Sequence, residues 1–326
     1  MSTVARLYRP RSLGARPVWQ TSDLAIAGSL LALLPPAWLL SERMWPHFCR
    51  AVCRVPGLVD RPTLRRTTTS IQAALAGMSP AQAASIALDL QAAVYELRMQ
   101  NLRCWRPGGW RPDIALQGEE HLVRAIERGN GAILWVAHFA FNSGITKVAL
   151  HNRGHRVSHL SRPEHGFSKT RFGIACLNPV RCIPEDRHLA ERIVYDRTAP
   201  STAMRRMVRA LHSGGVVSIT AGAWEGNGLV DAPLLGGTLS LAVGAPRLAL
   251  LTGAALLPVF SVRNAEQRLT TVIEAPIGLS RDSVPADACG DAAAEYLERH
   301  EPWIRQFPEQ WRGWKEWRNA VRLGHP

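Results

Sequence analysis

From Asp113 to Ser161 the spacing of apolar residues changes from block to block, and this alternation restricts the fold more than any other feature. "DIALQG" (113–118) reads as a short strand and "EEHLVRAIERG" (119–129) as a helix stopped by glycine. "AILWVA" (132–137) has no polar residue, which fits a strand covered on both faces. "NSGITKVALHNRG" (142–154) reads as a helix again and "RVSHLS" (156–161) as a strand. Successive strand–helix–strand units favour parallel pairing. The expected fold is therefore α/β, a mixed, mainly parallel sheet flanked by helices.

The pattern recurs downstream. A helix is expected over 201–215, a strand over 216–220, a helix near 239–252, strands over 255–262 and 268–275, and a closing helix over 287–317. Upstream, "SPAQAASIALDLQAAVYELRMQNLRC" (79–104) reads as one long helix. Ser79 is its N-cap, Pro80 its first residue, and Gln82 completes a capping box.

The amino-terminal part differs in kind. Arg6, Arg9, Arg11 and Arg16 precede "LAIAGSLLALLPPAWLL" (24–40), which carries no charge. "SERMWPHF" follows where a signal peptide would need small residues for cleavage, so the segment reads as uncleaved. It is short for a bilayer span, which needs about 20 apolar residues, and Pro35–Pro36 interrupts it. A helix lying on or entering one leaflet fits, with the arginines at the headgroups; an ordinary buried helix is the alternative. Residues 1–60 are thus read as a membrane-associating segment and 61–326 as the α/β domain.

The net charge of +13 calls for an anionic partner such as a membrane surface or an acidic carrier protein. Nucleic acid is not expected, because no recognition motif accompanies the basic residues. In the tail, Trp303, Trp311, Trp314 and Trp317 alternate with basic residues, which suits either a membrane interface or core packing. The six cysteines show no metal-ligand spacing and read as small apolar residues, so neither a metal nor another cofactor is expected.

Ligands of α/β sheets gather beyond the carboxyl ends of the strands, where His138 follows "AILWVA". Histidine suits general-base work near neutral pH, although a lone histidine after an apolar run is more often structural.

"IALQGEEHLVRAIERGNGAILWVAHFAFNSG" (114–144) resembles the first signature block of the lysophospholipid acyltransferase superfamily, most closely the late acyltransferases of lipid A biosynthesis. "SRP" (161–163), "MRRMVRALHSGGVVSI" (204–219), "APLLGGTLSLAVGAPRLALLTGAALLPVF" (232–260) and "IRQFPEQWRGWKEWRN" (304–319) resemble its later blocks in order.

The resemblance implies acyl transfer from an acyl-carrier-protein or acyl-CoA thioester to a lipid hydroxyl or amine, at the cytoplasmic face of a bacterial inner membrane. It makes His138 the base and Arg162 a contact for acceptor phosphate or the developing oxyanion. Pro233, Leu235 and Gly236 would line the acceptor groove.

Two positions depart from the pattern. Ser143 stands where the family carries an acid five residues after the histidine. Ser143 can only hydrogen-bond the ring. Gly222 or Ala223 stands where relatives carry an aspartate, and the nearest acid there, Glu225, is the candidate to orient His138 instead, with a surface loop glutamate as the alternative. Loss of an orienting carboxylate can cost a factor of about 10⁴ in turnover. The alternative function is therefore a catalytically impaired member of the fold that binds lipid or acyl chains, or supports a partner enzyme.

Overall fold

The structure is a computed structural model that describes residues 16–319 apart from 56, 197, 223–227, 281–283 and the side chain of Ser143. Four helices come first: α1 (Thr21–Leu39), α2 (Trp45–Arg54), α3 (Arg61–Ala74) and α4 (Pro80–Arg103). The Ser79–Gln82 capping box opens α4 as its sequence requires.

The alternating part follows as β1 (Ile114–Gln117), α5 (Glu119–Glu127), β2 (Ala132–Val136), α6 (Asn142–Asn152), β3 (Val157–Ser161), α7 (Pro179–Asp186), β4 (Glu191–Val194), α8 (Pro200–His212) and β5 (Val216–Thr220). A hairpin of β6 (Leu229–Leu234) and β7 (Gly237–Ala242) comes next. It leads to α9 (Gly244–Thr252), β8 (Ala255–Arg263), β9 (Leu269–Ile273), α10 (Pro285–Gln306) and β10 (Arg318–Asn319).

The main sheet has seven strands in the order β1-β9-β8-β2-β5-β3-β4. Strands β8, β2, β5, β3 and β4 run parallel, while β9 returns antiparallel to β8 and β1 runs with β9. This is the mixed, mainly parallel sheet that the alternating pattern calls for.

Every residue of β2 is buried because both faces are covered. Ile133 and Trp135 pack with Met207 and Leu211 of α8, Leu248 of α9 and Tyr296 of α10. Ala132, Leu134 and Val136 pack with Leu122 and Ala125 of α5 on the other face. The carboxyl end of β2 is thereby fixed at the centre of the molecule.

A third apolar cluster joins α1, α2 and α4 to the start of α6 through Leu33, Trp45, Met99, Phe141 and Ile145. Helix α1 continues through Pro35–Pro36, and its last carbonyls, on Ala37 and Leu40, accept from the Arg103 guanidinium. A cation there satisfies orphan acceptors and complements the helix dipole. One side of α1 packs on α4, with Trp38 Nε1 donating to Leu102 O at 3.0 Å. Leu24, Leu31 and Leu39 on its other sides stay 63–83% exposed.

The first turn of α1 and the chain just ahead of it are strapped to the loop after β3. The Asp23 carboxylate accepts from the hydroxyls of Ser168 and Thr170, and Arg16 pairs with Glu164.

Two stretches differ from the sequence reading. The segment before α9 is a β-hairpin, not helix, turning on Leu235 and Gly236 with φ of 51° and 69°. Positive φ at both positions is the two-residue turn that matches strand twist, and Leu is an unusual residue for it.

The closing helix ends at Gln306, ahead of Pro308, and the chain then runs back across the sheet. Ala140 N donates to Gln310 O at 2.7 Å and Arg312 N to His138 O at 3.0 Å, and β10 pairs with β7. Trp311, Trp314 and Trp317 are buried along this strap, so the tail tryptophans serve the core.

Candidate active site

His138 sits two residues beyond β2, where the chain turns into α6. Two contacts hold that turn: Asn142 Nδ2 donates to Ala137 O at 2.8 Å, and Ala137 N donates to Val259 O of β8 at 2.8 Å. The crossing tail strap fixes the His138 carbonyl as well. Its imidazole is half-buried and faces a cavity of about 540 Å³ at the carboxyl ends of β2, β3 and β5. That is within the ordinary size of a ligand pocket, at the place where an open α/β sheet binds ligands.

The cavity has two kinds of wall. Arg162, Glu164, His165, Arg181 and Arg312 join His138 and Asn142 on a polar part. Trp135, Leu160, Tyr195, Met204, Met207, Ile219 and Val243 form an apolar part.

Burial, then the guanidiniums of Arg312, Arg181 and Arg162, then His300, hold His138 well below the usual imidazole value. That direction leaves it neutral at pH 7. The same guanidiniums make this part of the cavity wall electropositive.

A buried charge network supports this wall. The Glu185 carboxylate on α7 bonds Lys147 Nζ at 2.6 Å, Arg181 Nε at 2.7 Å, His165 Nε2 at 2.8 Å and Arg192 at 3.0 Å. Lys147, His165 and Arg181 hold Glu185 ionised against its burial, so its pKa lies well below the carboxylate range. Burial in turn pushes Lys147 down to about 8 and His165 down to about 4, against the attraction of Glu185.

Behind His138 lies a second, smaller pocket lined by Gly222, His300, Trp311 and Glu316. Glu316 is on the tail strap. Its Oε2 makes no hydrogen bond among the described residues, and burial raises its pKa.

Of the sites expected from sequence, His138 and Arg162 come together in the cavity wall. Ser143 lies in the first turn of α6, with its side chain outside the described set. Glu225 falls outside the described residues; Gly222, the last described residue before it, lines both pockets beside His138.

Pro233 sits on β6, and Leu235 and Gly236 form the hairpin turn, none of them among the residues lining the cavity. Leu235 is buried in the core and its N–H donates to Glu301 at 2.9 Å.

Sequence reasoning missed Arg181, Glu185, Lys147, Arg312, His300 and Glu316 as parts of the site. Only the resemblance of the PEQW block to a known ending marked that region, and nothing in the spacing connects it to His138.

The chain matches the family of bacterial lipid A biosynthesis acyltransferases over residues 24–316. It belongs to that family. Members transfer an acyl group to a lipid, which sets the general needs of an acyl donor and a lipid acceptor, and they are membrane-associated. A search of curated proteins returns no match to the chain. Among the described residues of this family member, α1 is the one helix long and apolar enough to cross a membrane.

Proposed function

We propose that this chain is a membrane-associated acyltransferase that moves a fatty acyl group from an acyl-carrier-protein or coenzyme A thioester to a lipid hydroxyl or amine, with His138 as general base. The observation that carries this reading is a neutral histidine at the end of the central strand, facing a cavity with one polar and one apolar part.

In the proposed step the acceptor's proton passes to the imidazole as its oxygen or nitrogen bonds to the thioester carbonyl carbon. The carbonyl oxygen becomes an oxyanion beside Arg162 and its neighbouring guanidiniums. Collapse restores the C=O bond and breaks the C–S bond, and the departing thiolate takes the proton from His138.

The apolar wall around Leu160, Met204, Met207 and Val243 suits an acyl chain, each buried methylene contributing about 0.8 kcal/mol. Glu225 remains a proposed orienting acid in place of Ser143, and Glu316, which borders the small pocket behind His138, joins it.

The bare side of α1, with Leu24, Leu31 and Leu39, supports seating on one leaflet, with exposed Arg43 and Arg54 near the headgroups. In this reading residues 1–60 associate with the cytoplasmic face of an inner membrane and 61–326 carry the chemistry.

Lipid mass spectrometry of host membranes tests the proposal, comparing wild type with His138→Ala at matched protein level. The expected result is an added acyl group with wild type that disappears in the variant. Identical profiles in the native host would refute catalysis and leave a lipid-binding member of the fold.

A further inference from the structure

Glu316 is carried to the back of His138 by the tail strap. Arg312 N donates to His138 O at 3.0 Å, and a short helical turn (Arg312–Lys315) follows. Gly313 lets that turn pass the Trp311 ring, which a Cβ at this position would overlap. Glu316 N donates to Gly313 O at 3.0 Å, and the buried Trp314 and Trp317 pin the chain close by on either side of it. Trp317 Nε1 in turn donates to Leu234 O at 2.9 Å. Packing therefore fixes where Glu316 stands.

The residue is half-buried, yet its Oε2 is fully buried and bonds no described group. A carboxylate oxygen drawn out of water without a donor is costly, so its surroundings should hold one.

The pocket that Glu316 lines, with His138 and His300, has a volume of about 20 Å³. One water molecule needs about 10–15 Å³ on the same measure, and two to four polar partners. The pocket has room for one. Both ring nitrogens of His300 bond no described residue, so that ring offers a further partner.

His138 lines this pocket as well as the large cavity, and its Nδ1 is buried. An imidazole carries its two nitrogens at different edges of the ring. A base that turns one to the cavity turns the other away from it.

We propose that the small pocket is a water site through which Glu316 positions His138. An ionised carboxylate only accepts hydrogen bonds, so the water donates to Glu316 Oε2 and accepts from the imidazole N–H on its own side. The lone pair is left on the nitrogen that faces the cavity, which is the tautomer a general base needs. Negative charge behind the ring also stabilises the imidazolium as it forms. The inference deepens the acyl-transfer reading and rests on it for the meaning of the tautomer. It selects Glu316, not Glu225, as the acid that stands in for the one missing at position 143.

The test is nitrogen-15 NMR of the full chain with labelled histidine, in zwitterionic detergent at pH 8. Burial raises the Glu316 pKa, against a backbone contact, Lys315 and Arg312, so the measurement is made well above the ordinary carboxylate value of about 4.3. The signals that vanish in His138→Ala are those of His138. Wild type should show one tautomer. Glu316→Gln should show a mixture, because an amide can accept from the water or donate to it. Glu316→Asp keeps a carboxylate and should retain part of the preference, and Glu225→Gln should leave it unchanged. In an assay of the proposed reaction, Glu316→Gln should lower kcat about tenfold or more with little change in KM.

A tautomer unchanged in Glu316→Gln, or lost in Glu225→Gln instead, would overturn the assignment, as would a mixture in wild type. A crystal structure of the wild type gives a check that needs no variant. It should show one water within about 3.2 Å of both Glu316 Oε2 and a ring nitrogen of His138, and a dry pocket or a direct contact between the two would overturn the site. Acylation that survives Glu316→Gln with the tautomer unchanged sinks the water site's role alone. A Glu316-dependent tautomer without any His138-dependent acylation sinks the catalytic reading alone.

Discussion

His300 lies on α10, 2% exposed, and both ring nitrogens lack a hydrogen-bond partner among the described residues. The rings of Phe139, Phe260, Tyr296 and Trp311 surround it, with centroids 5.4–5.9 Å away. Burial alone pushes its pKa down to about 3. In the unfolded chain the imidazole titrates near its ordinary value of about 6.5. As pH falls below that value the unfolded state takes up a proton that the native state refuses, so stability is lost between pH 6.5 and pH 3. At pH 4.5 the loss is about 3 kcal/mol from this residue, and it changes little if the native value is a unit higher. For a chain of 326 residues that is roughly 4 °C in melting temperature. Replacing His300 by Phe abolishes the titration while keeping an aromatic ring in the cage. Unfolding followed by tryptophan fluorescence at pH 7.5 and 4.5, in wild type and His300→Phe, isolates the term as a double difference, because the other histidines titrate in both proteins. The variant retains about 3 kcal/mol more of its stability at the lower pH. Equal acid losses would refute the reasoning and would mean that the four ring faces hold an imidazolium by cation–π attraction.

Glu185→Gln leaves Lys147, Arg181 and Arg192 without their shared counter-charge, and should lower stability by about 3–5 kcal/mol in a denaturant titration. A loss below about 1 kcal/mol would show that water or the remaining groups carry that charge. In a steady-state assay of the proposed reaction, the acid limb of kcat/KM should lie well below pH 6.5, because burial and Arg312, Arg181, Arg162 and His300 depress free His138. If an anionic substrate group binds beside those cations, the limb of kcat should lie at higher pH than that of kcat/KM. Coincident limbs near 6.5 would contradict both statements.

How much of this was legible in the sequence depended on the range of the interaction that fixed each part. Local signals were enough for α4, whose capping box closes within four residues, and for β2, whose unbroken apolar run reports burial on both faces. The β6–β7 hairpin was hidden because Leu235 occupies a positive-φ turn position usually marked by Asn or Gly. The stretch after Arg162 carried no clear period, and α7 forms there with Pro184 inside it; its place follows from the buried network on Glu185. His138 was singled out because it closes an apolar run within the first block of the family resemblance. Arg312 and Glu316 were not, because they reach His138 only when the tail folds back over β2.

That return also bears on the acid missing at position 143. A carboxylate beside an imidazole raises its basicity and stabilises the cation formed on proton transfer. The described surroundings of His138 act in the opposite sense: cations on the cavity side disfavour imidazolium and favour the oxyanion. In the proposed mechanism a base so placed is weak while those cations are unopposed. It gains strength when an anion settles among Arg162, Arg181 and Arg312, since the ligand's charge offsets theirs and favours the protonated ring. An anionic substrate group bound there would then supply part of the electrostatic support that the family pattern places in a fixed carboxylate. On that view a serine at position 143 is compatible with catalysis.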